Sequence, residues 1–395
     1  MKDSILVINS GSSSLKFAIL NDAGKKLVFE GIAEQLNSKT ADITFKFEGT
    51  KVSYPLQQSS HQDALSHIKL WLDKHPLILD SLIGVGHRIV HGGETFTGSV
   101  IIDNHVIKQI ENCIPLAPLH NPSGLKGIEA CLKLFKTLPQ IAVFDTSFHQ
   151  TLNQVEYLYP IPMRYYRDHA LRKYGFHGTS FRYISKRLGE LDKASLQEDI
   201  LVAHLGNGAS ACAISEAKSV DTSMGLTPLE GMMMGTRSGN VDPMLLSSIA
   251  KQDNLDLDAT LAILNKESGL LGISELSNDC RTLEEAMNAG SQQAKLALDM
   301  FCERAAKNLV CVATSLTNIK HLVFTGGIGE NSHYVREKIC SYLRILNIHL
   351  DKVENETLSR EKDVIISPAQ YPIKIWIIPT NEELMIALDT IDLIQ

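Results

Sequence analysis

Two arginines stand in frames that an ordinary surface arginine does not need. Arg88 lies in Gly86-His-Arg-Ile-Val-His-Gly-Gly93, and Arg237 in Gly235-Thr-Arg-Ser-Gly-Asn-Val-Asp-Pro243. A guanidinium is a planar fork that grips phosphate or carboxylate with two parallel hydrogen bonds, which would account for both; a structural ion pair is the plainer account. Asp145 closes the apolar run Gln140–Phe144. Acids at strand ends of α/β proteins bind ligands or cations, or merely cap the next helix. His177, in Tyr174-Gly-Phe-His-Gly-Thr-Ser180, has close glycine neighbours and a small polar helix start after it. Glu382 follows Pro379-Thr380-Asn381. An acid at a helix start suits the helix dipole, and at a strand-to-helix turn it can also hold Mg²⁺ through water.

Residues 4–20 supply a further constellation. Ile5–Ile8 is apolar, Asn9 breaks the run, Ser10-Gly-Ser-Ser-Ser14 forms a turn, and Leu15, Phe17 and Ile19 alternate with Lys16 and Ala18. Period-two alternation around a small-residue turn predicts a β-hairpin. Its hydroxyls, carboxamide and backbone N–H groups, with Lys16 beyond, suit a phosphate oxygen or a hydrated cation, or are simply a serine-rich loop. The pattern returns at an offset of 195, where Ile5-Leu6-Val7 falls on Ile200-Leu201-Val202 and Gly11 on Gly206. A second echo sets Gln140–Thr146 against His321–Gly326. Two echoes in the same order predict a duplicated domain with a ligand between the halves. Gly326-Gly-Ile-Gly-Glu-Asn331, between a strand and a helix, lets backbone approach an anion or nucleotide closely.

At 395 residues, two domains are expected, with a boundary near 150. Hydrophobic content of 44% and charged content of 21% are globular values. A net charge of −7 and no basic run argue against nucleic acid as a partner. The seven scattered cysteines form no C-x-x-C pair, which predicts free thiols in a reducing compartment. No apolar stretch reaches membrane-spanning length, so a cytoplasmic protein without a membrane partner is expected. P-loop, protein-kinase, H-E-x-x-H and G-x-S-x-G signatures are absent.

Around these motifs the pattern places strands at 27–34, 42–47, 51–54, 82–93, 140–144, 200–204, 209–215, 218–222, 321–325 and 373–378. Helices are expected at 62–74 (stopped by Pro76), 104–113, 124–136, 243–252, 256–266, 291–317, 334–346 and 381–391. Residues 115–122 read as a stiff connector. This is an α/β pattern in two similar halves.

Together these stretches resemble the acetate kinase family, in the superfamily of acetate and sugar kinases, heat-shock cognate proteins and actin. Leu119-His-Asn-Pro122, Phe144-Asp-Thr-Ser-Phe-His149, His204-Leu-Gly-Asn-Gly208 and Thr380-Asn-Glu-Glu383 add to those already quoted, and the resemblance spans essentially the whole chain. It implies two duplicated ribonuclease-H-like domains in an actin-like ATPase fold, with the active site in the interdomain cleft. The first domain, 1–150, would be the acyl and metal side, completed by helix 381–395; the second, 151–380, would bind nucleotide. It implies transfer of the ATP γ-phosphate to acetate, giving acetyl phosphate and ADP, with Mg²⁺ (Mn²⁺ as a substitute) and a homodimer. Asn9 and Glu382 would be near the metal. Lys16, His204, Leu205, Gly206, Asn207, Gly208, Asp279, Cys280, Arg281, Gly327, Ile328, Gly329, Glu330 and Asn331 would hold ATP. Arg88 would bind the acyl carboxylate beside Val90, Leu119, His120, Phe176 and Pro228, and Asp145, His177, Arg237 and Arg88 would be catalytic. The rivals are a propionate or other short-chain acyl kinase, and a non-enzymatic ATP-binding module.

Overall fold

Apolar residues of both parities at positions 5–8 demand a strand covered on both faces. In the computed structural model, which describes residues 3–21, 24, 26–357 and 363–395, that strand is central to its sheet. The elements run β1 (Ser4–Ser10), β2 (Leu15–Asn21), β3 (Lys26–Glu34), β4 (Asp42–Phe47), β5 (Thr50–Pro55), α1 (His61–Asp73), α2 (Pro76–Leu79), β6 (Leu82–Ile89), β7 (Val100–Ile101), α3 (Asn104–Asn112), α4 (Asn121–Leu134) and β8 (Gln140–Phe144). They continue with α5 (Gln154–Tyr157), α6 (Arg164–His169), α7 (Gly178–Leu191), β9 (Asp199–Leu205), β10 (Ala209–Ser215), β11 (Lys218–Thr222), α8 (Met244–Asp253), α9 (Leu257–Lys266), α10 (Gly269–Ser274), α11 (Cys280–Asn288) and α12 (Gln292–Ala313). The last are β12 (Ile319–Thr325), α13 (Gly326–Asn331), α14 (His333–Tyr342), α15 (Lys352–Glu356), β13 (Val364–Ile365), β14 (Lys374–Ile377) and α16 (Glu382–Ile394). The chain divides into two units, residues 1–150 with 381–395, and residues 151–380.

The first unit holds one sheet in the order β5-β4-β3-β2-β1-β6-β8-β7. β1 pairs antiparallel with β2 and parallel with β6, and β6 runs parallel to β8. Alternation divides β1 between two cores. Leu6 and Ile8 pack with Leu65, Ile68 and Ala130 of α1 and α4, while Ile5 and Val7 pack with Ile386, Ala387 and Ile391 of α16. Gly86 is what lets α16 lie so close. A Cβ there would stand 2.5 Å from Ile386 Cγ2 and 2.6 Å from Thr390 Oγ1.

The second unit repeats the plan as β11-β10-β9-β12-β14-β13. A hairpin from β9 to β10 is followed by parallel pairing of β9 with β12 and of β12 with β14. The order hairpin, central strand, two parallel strands is common to both sheets, and this is the duplicated ribonuclease-H-like α/β arrangement. The topology corrects the second sequence echo. β12 is the counterpart of β6, because each is the parallel neighbour of its unit's first strand, and β8 corresponds to β14. The likeness of Gln140–Thr146 to His321–Gly326 is therefore not a repeat match; it reflects two buried parallel strands of similar apolar composition.

Other boundaries move for local reasons. α1 stops at Asp73, just before Pro76 as expected, and Pro76 also starts α2, since a proline at the first helical position lacks only an N–H that would have no partner. Pro122 is the second residue of α4, which begins at Asn121 within the expected connector. The long helix closes at Ala313 rather than 317. The pattern at 334–346 splits into α14 and a 3₁₀ turn, Leu343–Leu346.

Candidate active site

In the first unit, strand register brings the chemistry together. Asn9 pairs with Arg88 across β1 and β6, and Ile89 pairs with Phe144 across β6 and β8, so Asp145 emerges beside the arginine. Arg88 Nε donates to both Asp145 oxygens at 3.0 and 3.1 Å, and Nη2 donates to Oδ2 at 2.6 Å. Nη1 reaches Asn9 Oδ1 at 3.3 Å, and Glu382 Oε2 lies 3.7 Å from Nε. Asp145 is buried, at 1% exposure. Burial alone would lower the Arg88 pKa, but Asp145, Glu382 and Glu383 outweigh it and hold the guanidinium charged. The Glu382 carboxyl is pushed up to about 7 by burial, with Asp145 and Glu383 acting in the same sense and Arg88 and Lys16 opposing. Three of the five guanidinium N–H groups are engaged by Asp145 and Asn9, which leaves two for a ligand.

The hairpin turn is braced from below. Gly11 N–H donates to Ser14 O at 2.8 Å, and His61 Nε2 bonds Gly11 O at 2.7 Å. Lys16 stands opposite Asn9 on β2 with its side chain exposed. The carboxamide oxygen of Asn9 and the carboxylate of Glu382 are hard oxygen donors, the kind that Mg²⁺ takes one or two of while keeping waters and substrate phosphates. Among the described residues no group of three or more His, Cys, Asp or Glu could hold a metal ion.

The second unit is organised around its own hairpin turn. His177 is the N-cap of α7 with φ 57°, a left-handed conformation uncommon for a residue other than glycine. Its Nδ1 bonds Ser210 Oγ at 2.9 Å, and its ring stacks on His204 at 4.2 Å. Arg237 approaches the same place. The point where a Cβ on Gly208 would sit is 3.4 Å from His177 Nε2 and 3.5 Å from Arg237 Nη1. Arg237 donates to Pro228 O at 3.2 Å, and no carboxylate among the described residues pairs with it. Burial pulls its pKa down, so this cation is held without compensation and is suited to an anionic ligand. Gly326 has φ 76°, and a Cβ on it would meet Leu205 O at 2.7 Å; only glycine fits this turn.

The remaining expected residues are distributed between the units. Val90, Leu119 and His120 belong to the first, with Leu119 exposed; Phe176 and Pro228 belong to the second, with Phe176 buried. Leu205 and Cys280 point into the core, so only their backbone can face a nucleotide. Asp279 caps α11 through the N–H groups of Arg281 and Thr282, while the Arg281 side chain is exposed. Gly327 and Asn331 are exposed, and Ile328, Gly329 and Glu330 complete the α13 turn. Three partners escaped the sequence reading: Ser210, Ser180 and Thr380. Ser180 Oγ lies 2.8 Å from both His204 Nδ1 and Thr380 Oγ1. Single hydroxyls carry no signal of their own, although Ser180 and Thr380 stand inside the quoted motifs.

The family model of the Acetokinase family matches residues 4–388. An acetate kinase of Chromobacterium violaceum is 48% identical over 391 residues, covering 99% of this chain and 98% of that protein. One of Pseudomonas aeruginosa is 47% identical over 396 residues, covering 99% of each. Among solved structures, a propionate kinase from Francisella tularensis superposes with TM-score 0.94 at 40% identity, and Porphyromonas gingivalis acetate kinase with 0.93 at 39%, each over 100% of both chains.

Proposed function

The chain belongs to the Acetokinase family, and from that premise we propose how its residues divide the work of moving a phosphoryl group between ATP and acetate. It is a phosphotransferase with a carboxyl group as acceptor, interconverting ATP plus acetate with ADP plus acetyl phosphate. The observation that carries the residue assignment is Arg88, fixed by Asp145 with two N–H groups left over. Acetate is already ionised at neutral pH, since carboxyl pKa values lie near about 4. No base is needed to activate it. Asp145, engaged by Arg88 on both oxygens, therefore orients the guanidinium rather than accepting a proton. Arg88 binds the acetate carboxylate for in-line attack. His177 and Arg237 offset the charge that builds on the transferring phosphoryl group, where electrostatic stabilisation outweighs covalent help. The turns at 204–208 and 327–331 and the 279–281 segment hold ATP, with Lys16 approaching its phosphates.

Asn9 and Glu382 would hold Mg²⁺, which when bound would neutralise phosphate charge; Mn²⁺ would substitute. Val90, Leu119, His120, Phe176 and Pro228 would surround the acyl group. A homodimer would cover α8, which buries no residue and exposes Met244 (68%) and Leu245 (41%), and α9, which exposes Leu257 (61%). No described helix is long and apolar enough to cross a membrane. The seven cysteines are free, which agrees with a reducing cytoplasm as the site of action.

Trapping acetyl phosphate as its hydroxamate tests the reading, with acetate, propionate and butyrate compared by kcat/KM. Acetate should lead. Preference for propionate by more than tenfold would transfer the assignment to the propionate kinase reading, which the Francisella neighbour favours. Discrimination by one methylene is worth about 1–3 kcal/mol.

A further inference from the structure

Arg237 stands on a loop, and a loop aims a guanidinium only if its own backbone is held. Gly231 and Asn240 close that loop at its base. Gly231 N–H donates to Asn240 Oδ1 at 2.8 Å, and Asn240 N–H donates back to Gly231 O at 3.0 Å. The guanidinium leans outside this closure. Its Nη1 donates to Pro228 O at 3.2 Å, so its direction depends on the arc from Leu226 to Glu230, which belongs to no helix or strand. Both ends of the arc meet one oxygen. Leu226 N–H donates to the Tyr159 hydroxyl at 2.8 Å, and that hydroxyl donates to Glu230 Oε2. Burial, with the Glu230 carboxylate beside it, pushes the Tyr159 pKa up, so the phenol keeps its proton for this bond. The meeting requires Gly225, where a Cβ would collide with Glu230 Oε2 and with the Tyr159 hydroxyl alike. Gly225 O in turn accepts from Tyr174 N–H at 3.0 Å and Gly175 N–H at 3.3 Å, on the segment that leads into His177. All of these residues belong to the second unit.

We propose that Tyr159 and Glu230 are positioning residues: their hydrogen bond gathers the 226–230 arc so that the Pro228 carbonyl fixes the direction of the Arg237 guanidinium. Both act on the reaction through Arg237. The proposal rests on the functional reading above for the effect of Arg237 on rate, whereas the hydrogen bonds at Tyr159 stand without it.

A double-mutant cycle on turnover of the full chain tests this. Tyr159→Phe keeps the ring and removes the hydroxyl; Glu230→Gln keeps an acceptor and removes the charge. Turnover should fall about tenfold in Tyr159→Phe and about threefold in Glu230→Gln, with KM for ATP within about twofold in each. In the Arg237→Ala background, Tyr159→Phe should cost less than about twofold more, because no guanidinium is left to aim. Amide hydrogen exchange on a peptide spanning 223–231 should be about tenfold faster in Tyr159→Phe, and less so in Glu230→Gln. Wild-type turnover in Tyr159→Phe would overturn the proposal, and so would the same tenfold loss with and without Arg237. Failure of the functional reading has another signature: Arg237→Ala would then keep wild-type kcat, which removes the catalytic consequence, while exchange at 223–231 still decides whether Tyr159 gathers the arc.

Discussion

The two sheets offer a controlled comparison, because one topology carries two different sets of charged groups. At the end of the first strand, register sets Asn9 beside Arg88 in one unit and His204 beside Thr325 in the other. The first position opens on a compensated cluster, in which a guanidinium is met by Asp145, Glu382 and a carboxamide. The second opens on stacked imidazoles, an arginine with no carboxylate partner among the described residues, and the buried Thr325 hydroxyl without a hydrogen-bond partner. A duplicated frame fixes where strand ends point. Charge pairing at those ends then decides what each can do. A paired arginine is oriented and selective for one small anion, whereas an unpaired, desolvated one is poised for charge that appears during reaction.

That contrast predicts unequal costs. Arg237→Ala should give the largest loss, about 10²–10³ in kcat, with a smaller change in KM for ATP. A variant whose only defect is a higher KM for ATP would make Arg237 a ground-state binder and erase the distinction between the two arginines. Asp145→Asn should cost less, on the order of 10–10² in kcat/KM for acetate, because the guanidinium survives but loses its orientation. Undiminished turnover and unchanged Mg²⁺ dependence in this variant would remove Asp145 from the mechanism.

The same comparison explains how much could be read from sequence. Strand-and-turn alternation at 4–20 and 200–214 exposed both hairpins and hence the duplication, since period-two patterning is a local property. The pairing of β6 with β1 is not local. The echo between residues 140–146 and 321–326 misled because two-face burial makes all inner parallel strands alike in composition. Arg88, Asp145 and Glu382 could be nominated one at a time from their frames, whereas the bonds joining them depend on register across β1, β6 and β8 and on α16 returning from residue 382. Gly86 shows the limit well. The glycine was visible, but its reason, Ile386 and Thr390 lying where a Cβ would go, is three hundred residues away.

Smaller effects follow from titration. Burial and the neighbouring carboxylates push the Glu382 carboxyl up to about 7, so Mg²⁺ held there as proposed would have to displace a proton on the acid side of that value. Apparent Mg²⁺ affinity should therefore fall by up to about tenfold per pH unit below 7 and level off above it. Magnesium titrations from pH 5.5 to 8.5 would show this, and a flat profile would contradict it. The stability effect has the opposite sense. A carboxyl raised above its unfolded value of 4.5 binds its proton more tightly when folded, so its contribution is greatest below 4.5 and is lost as pH rises to 7. Glu382→Gln, which mimics the protonated form, should gain Tm relative to wild type over that window.

The turns themselves give the last and smallest contrast. Gly11 and Gly208 both lack positive φ, so alanine is compatible with either backbone. A methyl on Gly11 would meet Ser14 Oγ at 3.0 Å, the mobile end of a side chain, while one on Gly208 would make ordinary contact with His177 and Arg237 at 3.4 and 3.5 Å. Neither should shift stability by more than about 1 kcal/mol. Function should separate them. At Gly208 the methyl takes the space between the histidine and the arginine where a phosphate oxygen would lie, and KM for ATP should rise several-fold, with KM for acetate unchanged. At Gly11 it fills space beside a serine hydroxyl, and KM for ATP should stay within about twofold. Equal behaviour of the two variants would mean that the second hairpin is no more of a phosphate cradle than the first, and the division of labour between the sheets would have to be sought in their arginines alone.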